Sequence, residues 1–202
     1  MNPDQEKQYE KLIKARNFHY ENLNRWLITF YAIIGALFVA LYHIHGSHPL
    51  MELCVAIVGY VVSIAALLSG KGYYYWETNW MILIHHFEKV NLAHKEDRVY
   101  SVFANKHANN CICNPIAGAN ISTSKVALAI TTFIVVLWGT FSLYFCANLL
   151  MKCLELQNVC PTAIVVISIC VSCIITMLLM YKGAKYFPSK LNDIDDLNIP
   201  LK

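Results

Sequence analysis

The sequence predicts an all-α polytopic membrane protein, with four transmembrane helices and cytoplasmic helical extensions. Three observations carry that prediction. Charged residues make up 14% of the 202-residue chain and hydrophobic ones 57%, where a soluble domain carries about 25% charged residues. Mean hydropathy is correspondingly positive, at +0.44. Four apolar stretches are long enough to cross a bilayer, and the lysines and arginines fall almost entirely on one side of the arrangement they define.

The stretches are Trp26–Tyr42, Met51–Leu68, Val126–Leu150 and Ala163–Met180, against a requirement of roughly 17 to 25 apolar residues per crossing. The first two sit at the short end, where Trp26, Tyr31, Tyr42 and Tyr60 help to position them. The third is long enough to tilt. Acidic and basic residues stand only at the edges: Arg25, Glu52, Lys125 and Lys182. Residues 1–25 are polar and mixed in charge, without a small-residue cleavage site after a short apolar core. The first stretch is therefore expected to stay as an anchor.

The cations set the orientation. Of the sixteen lysines and arginines, Lys152 alone falls in the two short loops His43–Leu50 and Lys152–Thr162. Lys and Arg are retained on the cytoplasmic side, so both termini are predicted to be cytoplasmic in an inner, cytoplasmic membrane. The expected organisation is a cytoplasmic N-terminal helix (1–25), a transmembrane hairpin (26–68), a cytoplasmic helical region (69–125), a second hairpin (126–181) and a cytoplasmic tail (182–202). The net charge of +3 is small, and no nucleic-acid partner is expected.

Residues Asp4–Arg25 read as a helix running into the first span. Pro3 suits its start, and Glu10/Lys14 and Glu21/Arg25 are acid-then-base pairs at i, i+4, each worth about 0.2–0.5 kcal/mol. Beyond the second span, Trp76, Trp80, Leu83, Phe87, Val90 and His94 recur at spacings of 4, 3, 4, 3 and 4. That is a heptad-like stripe on one helical face. No proline interrupts it, so the second span is expected to continue outward as one helix, with Gly70 and Gly72 as places for a bend. The stripe must bury its aromatics against the N-terminal helix, the tail or another copy of the chain. Trp76, Trp80, Leu83, Phe87 and Val90 are accordingly the predicted oligomer or helix interface.

A Tyr-rich N-terminal helix entering the first span through Trp26, and Gly70-Lys71 followed by Trp76, Trp80 and Glu88, resemble the RipA family of octameric bacterial membrane proteins. The resemblance covers much of residues 1–100; over the third and fourth spans it rests on hydropathy. It implies a bacterial inner-membrane homo-oligomer, an octamer, linked to adaptation within a host. It brings no catalytic residues.

Several clusters have the composition of chemical sites. His43, His45 and His48 place three imidazoles in one loop, as ligands for a metal or as a pH sensor; a solvated loop is the plainer reading. His107, Cys111 and Cys113 form part of a zinc-ligand pattern, although Cys-x-Cys is shorter than the usual spacing. Cys153 and Cys160 share one outer loop, where an oxidising compartment permits a disulfide. His85, His86 and Glu88 carry acid and base groups, but no nucleophile elbow, phosphate-cradling loop or HExxH motif accompanies them. The acidic tail around Asp193, Asp195 and Asp196 lacks the glycine and alternating ligands of a calcium loop.

Small residues recur every four positions at Ala32/Ala36/Ala40, Gly59/Ser63 and Ser168/Ser172/Thr176, serving contacts either between subunits or within one bundle. The spans lack the ionisable group at membrane depth that coupled transport uses. These features together predict a non-enzymatic, cofactor-free homo-oligomer in the lipid bilayer. It would act as a scaffold or interaction platform for a cytoplasmic protein partner, and the family resemblance implies a role in stress or host adaptation. The alternative is an oligomeric pore or channel, such as a stress or phage-defence effector gated from the cytoplasmic side.

Overall fold

The computed structural model describes residues 2–92, 98, 122–155 and 160–186. Four α-helices follow in chain order: α1 (Pro3–Ile44), α2 (Pro49–Asn91), α3 (Thr123–Cys153) and α4 (Pro161–Tyr186). Among the described residues there is no strand. Each helix is long and apolar enough to cross a membrane. The predicted fold class is therefore the observed one.

The ends are set by local chemistry. Asn2 and Gln5 form a reciprocal capping box: Gln5 N–H donates to Asn2 Oδ1 at 2.8 Å and Asn2 N–H to Gln5 Oε1 at 2.9 Å. Pro3, Pro49 and Pro161 each occupy the first position of their helix, where a missing N–H costs nothing. Between α1 and α2 the chain reverses in a tight turn that needs Gly46 at a φ of 80°. As expected, α1 runs from the polar N-terminal segment through the first span without a break, and α2 continues past Gly70 and Gly72 to Asn91.

The helices contribute to two compact units. One gathers α1 through Leu23 with α2 from Gly72 and the start of α3. The other gathers α1 from Asn24, α2 through Lys71, α3 from Ala127 and α4.

The second unit is a four-helix bundle built around Trp138 of α3, which is fully buried among Ile34, Leu41 and Ala56. Phe38 packs on its ring with centroids 4.5 Å apart, and Phe141 meets it edge-on at 6.0 Å. Gly59 of α2 lies directly beneath the indole: a Cβ there would stand 2.3 Å from Trp138 Cε3. Gly139 makes the equivalent close approach to α4, where a Cβ would stand 2.3 Å from Ser172 Oγ. Hydroxyls link the helices. Tyr31 of α1 shares a hydrogen bond of 2.9 Å with Thr131 of α3. The Val136 carbonyl of α3 accepts Ser172 Oγ at 2.9 Å and Thr140 Oγ1 at 2.8 Å.

This unit is polar inside and apolar outside along α4. Ser168, Ser172 and Thr176 are buried, whereas Val166, Ile167, Ile174 and Met177 are exposed. Lipid is as apolar as these side chains, so they gain nothing by turning inward, and small polar residues instead hold helices close. Two of the three small-residue faces, Gly59/Ser63 and Ser168/Ser172/Thr176, thus pack within the unit. The Ala32/Ala36/Ala40 face of α1 remains exposed, and Gly35 beside it has open space.

The first unit pairs α1 and α2 antiparallel. Gln5 faces Asn91, Tyr9 faces Glu88, and His19 faces Trp76 and Trp80. The predicted stripe is buried in part: Phe87 is 9% exposed, and Trp76, Trp80 and Leu83 are half-buried. Val90 departs from it, at 66% exposure. A strict heptad spacing slips by about 20° per heptad on a straight helix, or about 40° by Val90. Ile84 and Glu88, both at 0%, take the inward positions instead.

Candidate functional site

In the first unit the α1–α2 pair closes around a buried acid. The Tyr9 hydroxyl donates to Glu88 Oε1 at 2.7 Å, and the Tyr9 ring stacks on Phe87 at 5.7 Å with an interplanar angle of 18°. One turn further out, Gln5 Nε2 donates to Asn91 Oδ1 at 2.8 Å, while Asn91 Nδ2 donates to the Phe87 carbonyl at 3.0 Å. A carboxylate removed from water is costly unless its oxygens are hydrogen-bonded, so these polar contacts fix which residues of the two helices meet. Towards the other end, His19 lies between Trp76 and Trp80, with ring centroids 6.5 and 5.9 Å away. Ser124 at the start of α3 donates to Glu77 Oε2 at 3.0 Å.

Polar atoms remain unsatisfied here. His19 Nδ1, Asn79 Nδ2 and Trp80 Nε1 are buried and have no hydrogen-bond partner among the described residues. The same unit presents apolar side chains outward: Phe18 at 63%, Tyr20 at 40%, Tyr75 at 44%, Ile82 at 39% and Val90 at 66% exposure.

The other candidates separate. His85 is exposed while Glu88 is buried, so the acid and base groups of that helix turn face different surroundings. His43, His45 and His48 are all exposed, at the end of α1, in the turn and immediately before α2. Among the described residues, no group of three His, Cys, Asp or Glu side chains is placed to hold a metal ion. Cys153 and Cys160 are exposed free thiols at the end of α3 and immediately before α4. Hydrogen bonds from the Ala163 and Thr162 amides and the Thr162 hydroxyl hold the Cys160 thiol below its ordinary value of 9.0. His94, His107, Cys111, Cys113 and the acidic tail lie outside the described residues.

Two features escape a reading of the sequence. Tyr9 is one of several aromatics on α1, and nothing in its spacing marks it as the partner of Glu88. Glu52 stands at the edge of an apolar stretch, yet it is 6% exposed and accepts the Gly46 N–H, with His45 Nδ1 at 3.6 Å. A lone acid on the apolar side of a span edge was the available signal.

A family model described as the octameric membrane protein family (8xMP) matches residues 6–147, which include most of α1, all of α2 and most of α3. No curated protein and no solved structure matches the chain.

Proposed function

The chain belongs to the octameric membrane protein family, and from that premise we propose a non-enzymatic homo-oligomeric scaffold of the bacterial inner membrane, of the RipA kind. Its α1–α2 pairs form a cytoplasmic platform used in stress or host adaptation. One observation carries this reading: α2 of the first unit is apolar on two sides. With 3.6 residues per turn, Tyr75 and Ile82 lie within about 20° of each other and Val90 about 80° from Ile82. Ile84, at the centre of the buried side, points roughly opposite. A helix apolar on both sides needs a second partner, and in an octamer the neighbouring copy supplies it. Within the membrane, the exposed Ala32, Ala36 and Ala40 face allows α1 the same close approach to a neighbour. Phe18 and Tyr20, exposed on α1, are then left for a cytoplasmic protein partner.

The test is the mass of the full chain in mild detergent. The unaltered protein is expected to run as an octamer. Ile82→Asp combined with Val90→Asp is expected to give smaller species of unchanged helix content. A strictly monomeric parent protein, or a double variant that remains octameric, refutes the reading. Thiol labelling of a cysteine placed before Pro3, in intact cells and in inverted vesicles, checks the cytoplasmic orientation.

A further inference from the structure

A cavity of about 220 Å³ opens in the second unit, at the end where α1 turns into α2 and α3 terminates, lined by His45, Glu52, Tyr144, Phe145, Asn148 and Lys152. Its polar groups are arranged by charge. Glu52 stands in the first turn of α2 and Lys152 in the last turn of α3, so each charge complements the dipole of its own helix. The dipole accounts for an exposed lysine. It does not account for a buried carboxylate beside an opening.

Glu52 Oε1 takes the Gly46 N–H and faces His45. Oε2 receives no hydrogen bond from the described residues, and Lys152 pairs with no carboxylate among them. The walls add aromatic faces, with Phe145 between His45 at 6.2 Å and Tyr144 at 5.6 Å. No metal-holding group of three His, Cys, Asp or Glu side chains exists among the described residues. The carboxylate oxygen left open to the cavity fits an organic cation that donates hydrogen bonds.

We infer that this cavity binds a primary ammonium group joined through a short linker to a phosphate, the chemistry of phosphoethanolamine. The ammonium donates to Glu52 Oε2 and lies against the Tyr144 and Phe145 rings, which attract cations, while the phosphate is met by Lys152. A quaternary ammonium has no N–H to give Glu52, and a purely anionic group would face a buried carboxylate. The volume is below the roughly 300–1,000 Å³ that holds drug-sized ligands and suits a group of headgroup size. The group comes either from an aminophospholipid of the surrounding bilayer or from free phosphoethanolamine.

The full chain is reconstituted in nanodiscs of phosphatidylcholine doped with either phosphatidylethanolamine or phosphatidylglycerol, and retained lipid is read by native mass spectrometry. Calorimetry with soluble phosphoethanolamine forms the second arm. Phosphatidylethanolamine is expected to be retained at least tenfold over the other two lipids. Glu52→Gln, which preserves an acceptor for Gly46, is expected to remove that preference, and Lys152→Met to reduce it about threefold. Binding in the nanodisc arm alone assigns a lipid headgroup, and binding in the soluble arm alone assigns the free compound. Equal retention of all three lipids without soluble binding overturns the inference, as does an unchanged preference in Glu52→Gln. If Glu52→Gln fails to assemble, Lys152→Met and Tyr144→Leu decide on the same criteria.

Discussion

Replacing Gly59 by alanine tests how closely α2 and α3 approach. The new methyl would stand 2.3, 2.4 and 2.6 Å from three atoms of the Trp138 indole. Non-bonded carbons settle at about 3.5–4.0 Å, so the helices must separate locally by about 1 Å or the indole must turn. Phe38 and Phe141 already occupy the space around that ring. Overpacking of this kind costs about 1–3 kcal/mol, offset in part by the roughly 0.5–1 kcal/mol that alanine gains over glycine in a helix. A net loss of about 1–2 kcal/mol is expected for Gly59→Ala. Reversible unfolding in mixed micelles, followed by Trp fluorescence and circular dichroism, measures it. Trp138→Leu clears the indole, so alanine at 59 should cost much less in that background. A Gly59→Ala protein as stable as the parent would refute the packing argument, and so would an equal penalty in both backgrounds.

Other positions are as open to test. Tyr9→Phe keeps the ring on Phe87 but removes a donor to a buried carboxylate, an expected loss of about 1.5–3 kcal/mol; hydrogen exchange should quicken over residues 5–23 and 76–91, and unchanged exchange would count against the contact. Cys160, its thiol pKa lowered by the hydrogen bonds at the start of α4, should be more ionised at a given pH than an ordinary thiol. In a variant whose only cysteine is Cys160, iodoacetamide labelling should reach half its plateau rate below pH 9.0, and Thr162→Val should move that midpoint upward. The Trp138 N–H is buried with no acceptor among the described residues. Trp138→Phe, which loses no hydrogen bond and leaves the smaller cavity, should therefore cost clearly less than the roughly 3–5 kcal/mol of Trp138→Ala; equal losses in an unfolding titration would refute this.

What could be read in the sequence followed from local rules. Hydropathy located the four helices, and the absence of proline between Pro49 and Pro115 made α2 one long helix through the end of its apolar run. The Trp76–Phe87 stripe announced a partner because aromatic side chains at helical spacing must be covered. Phase was harder to read: a heptad template carried Val90 inward, where a straight helix turns it out. The small-residue faces had two solutions of equal merit, since contacts within a bundle and between bundles ask for the same residues. Burial of Ser172 against the Val136 carbonyl, and exposure of Ala36, separate them in three dimensions. Gly59 and Trp138 meet across 79 positions of chain, and no spacing rule reaches that far. Glu52 was read as a boundary because its burial depends on the backbone turn at Gly46.

The Val136 carbonyl carries a mechanical consequence. It accepts the Thr140 and Ser172 hydroxyls in addition to its place in the backbone ladder of α3, so three donors share two lone pairs. A hydroxyl competing for an i−4 carbonyl loosens the backbone bond and lets a helix bend, and Gly139 lies within the same turn. The middle of α3 is thus its most compliant level. Relative tilting of its two halves would concentrate there, next to Trp138 and Ser172, and would register as early deuterium uptake at the Thr140 amide.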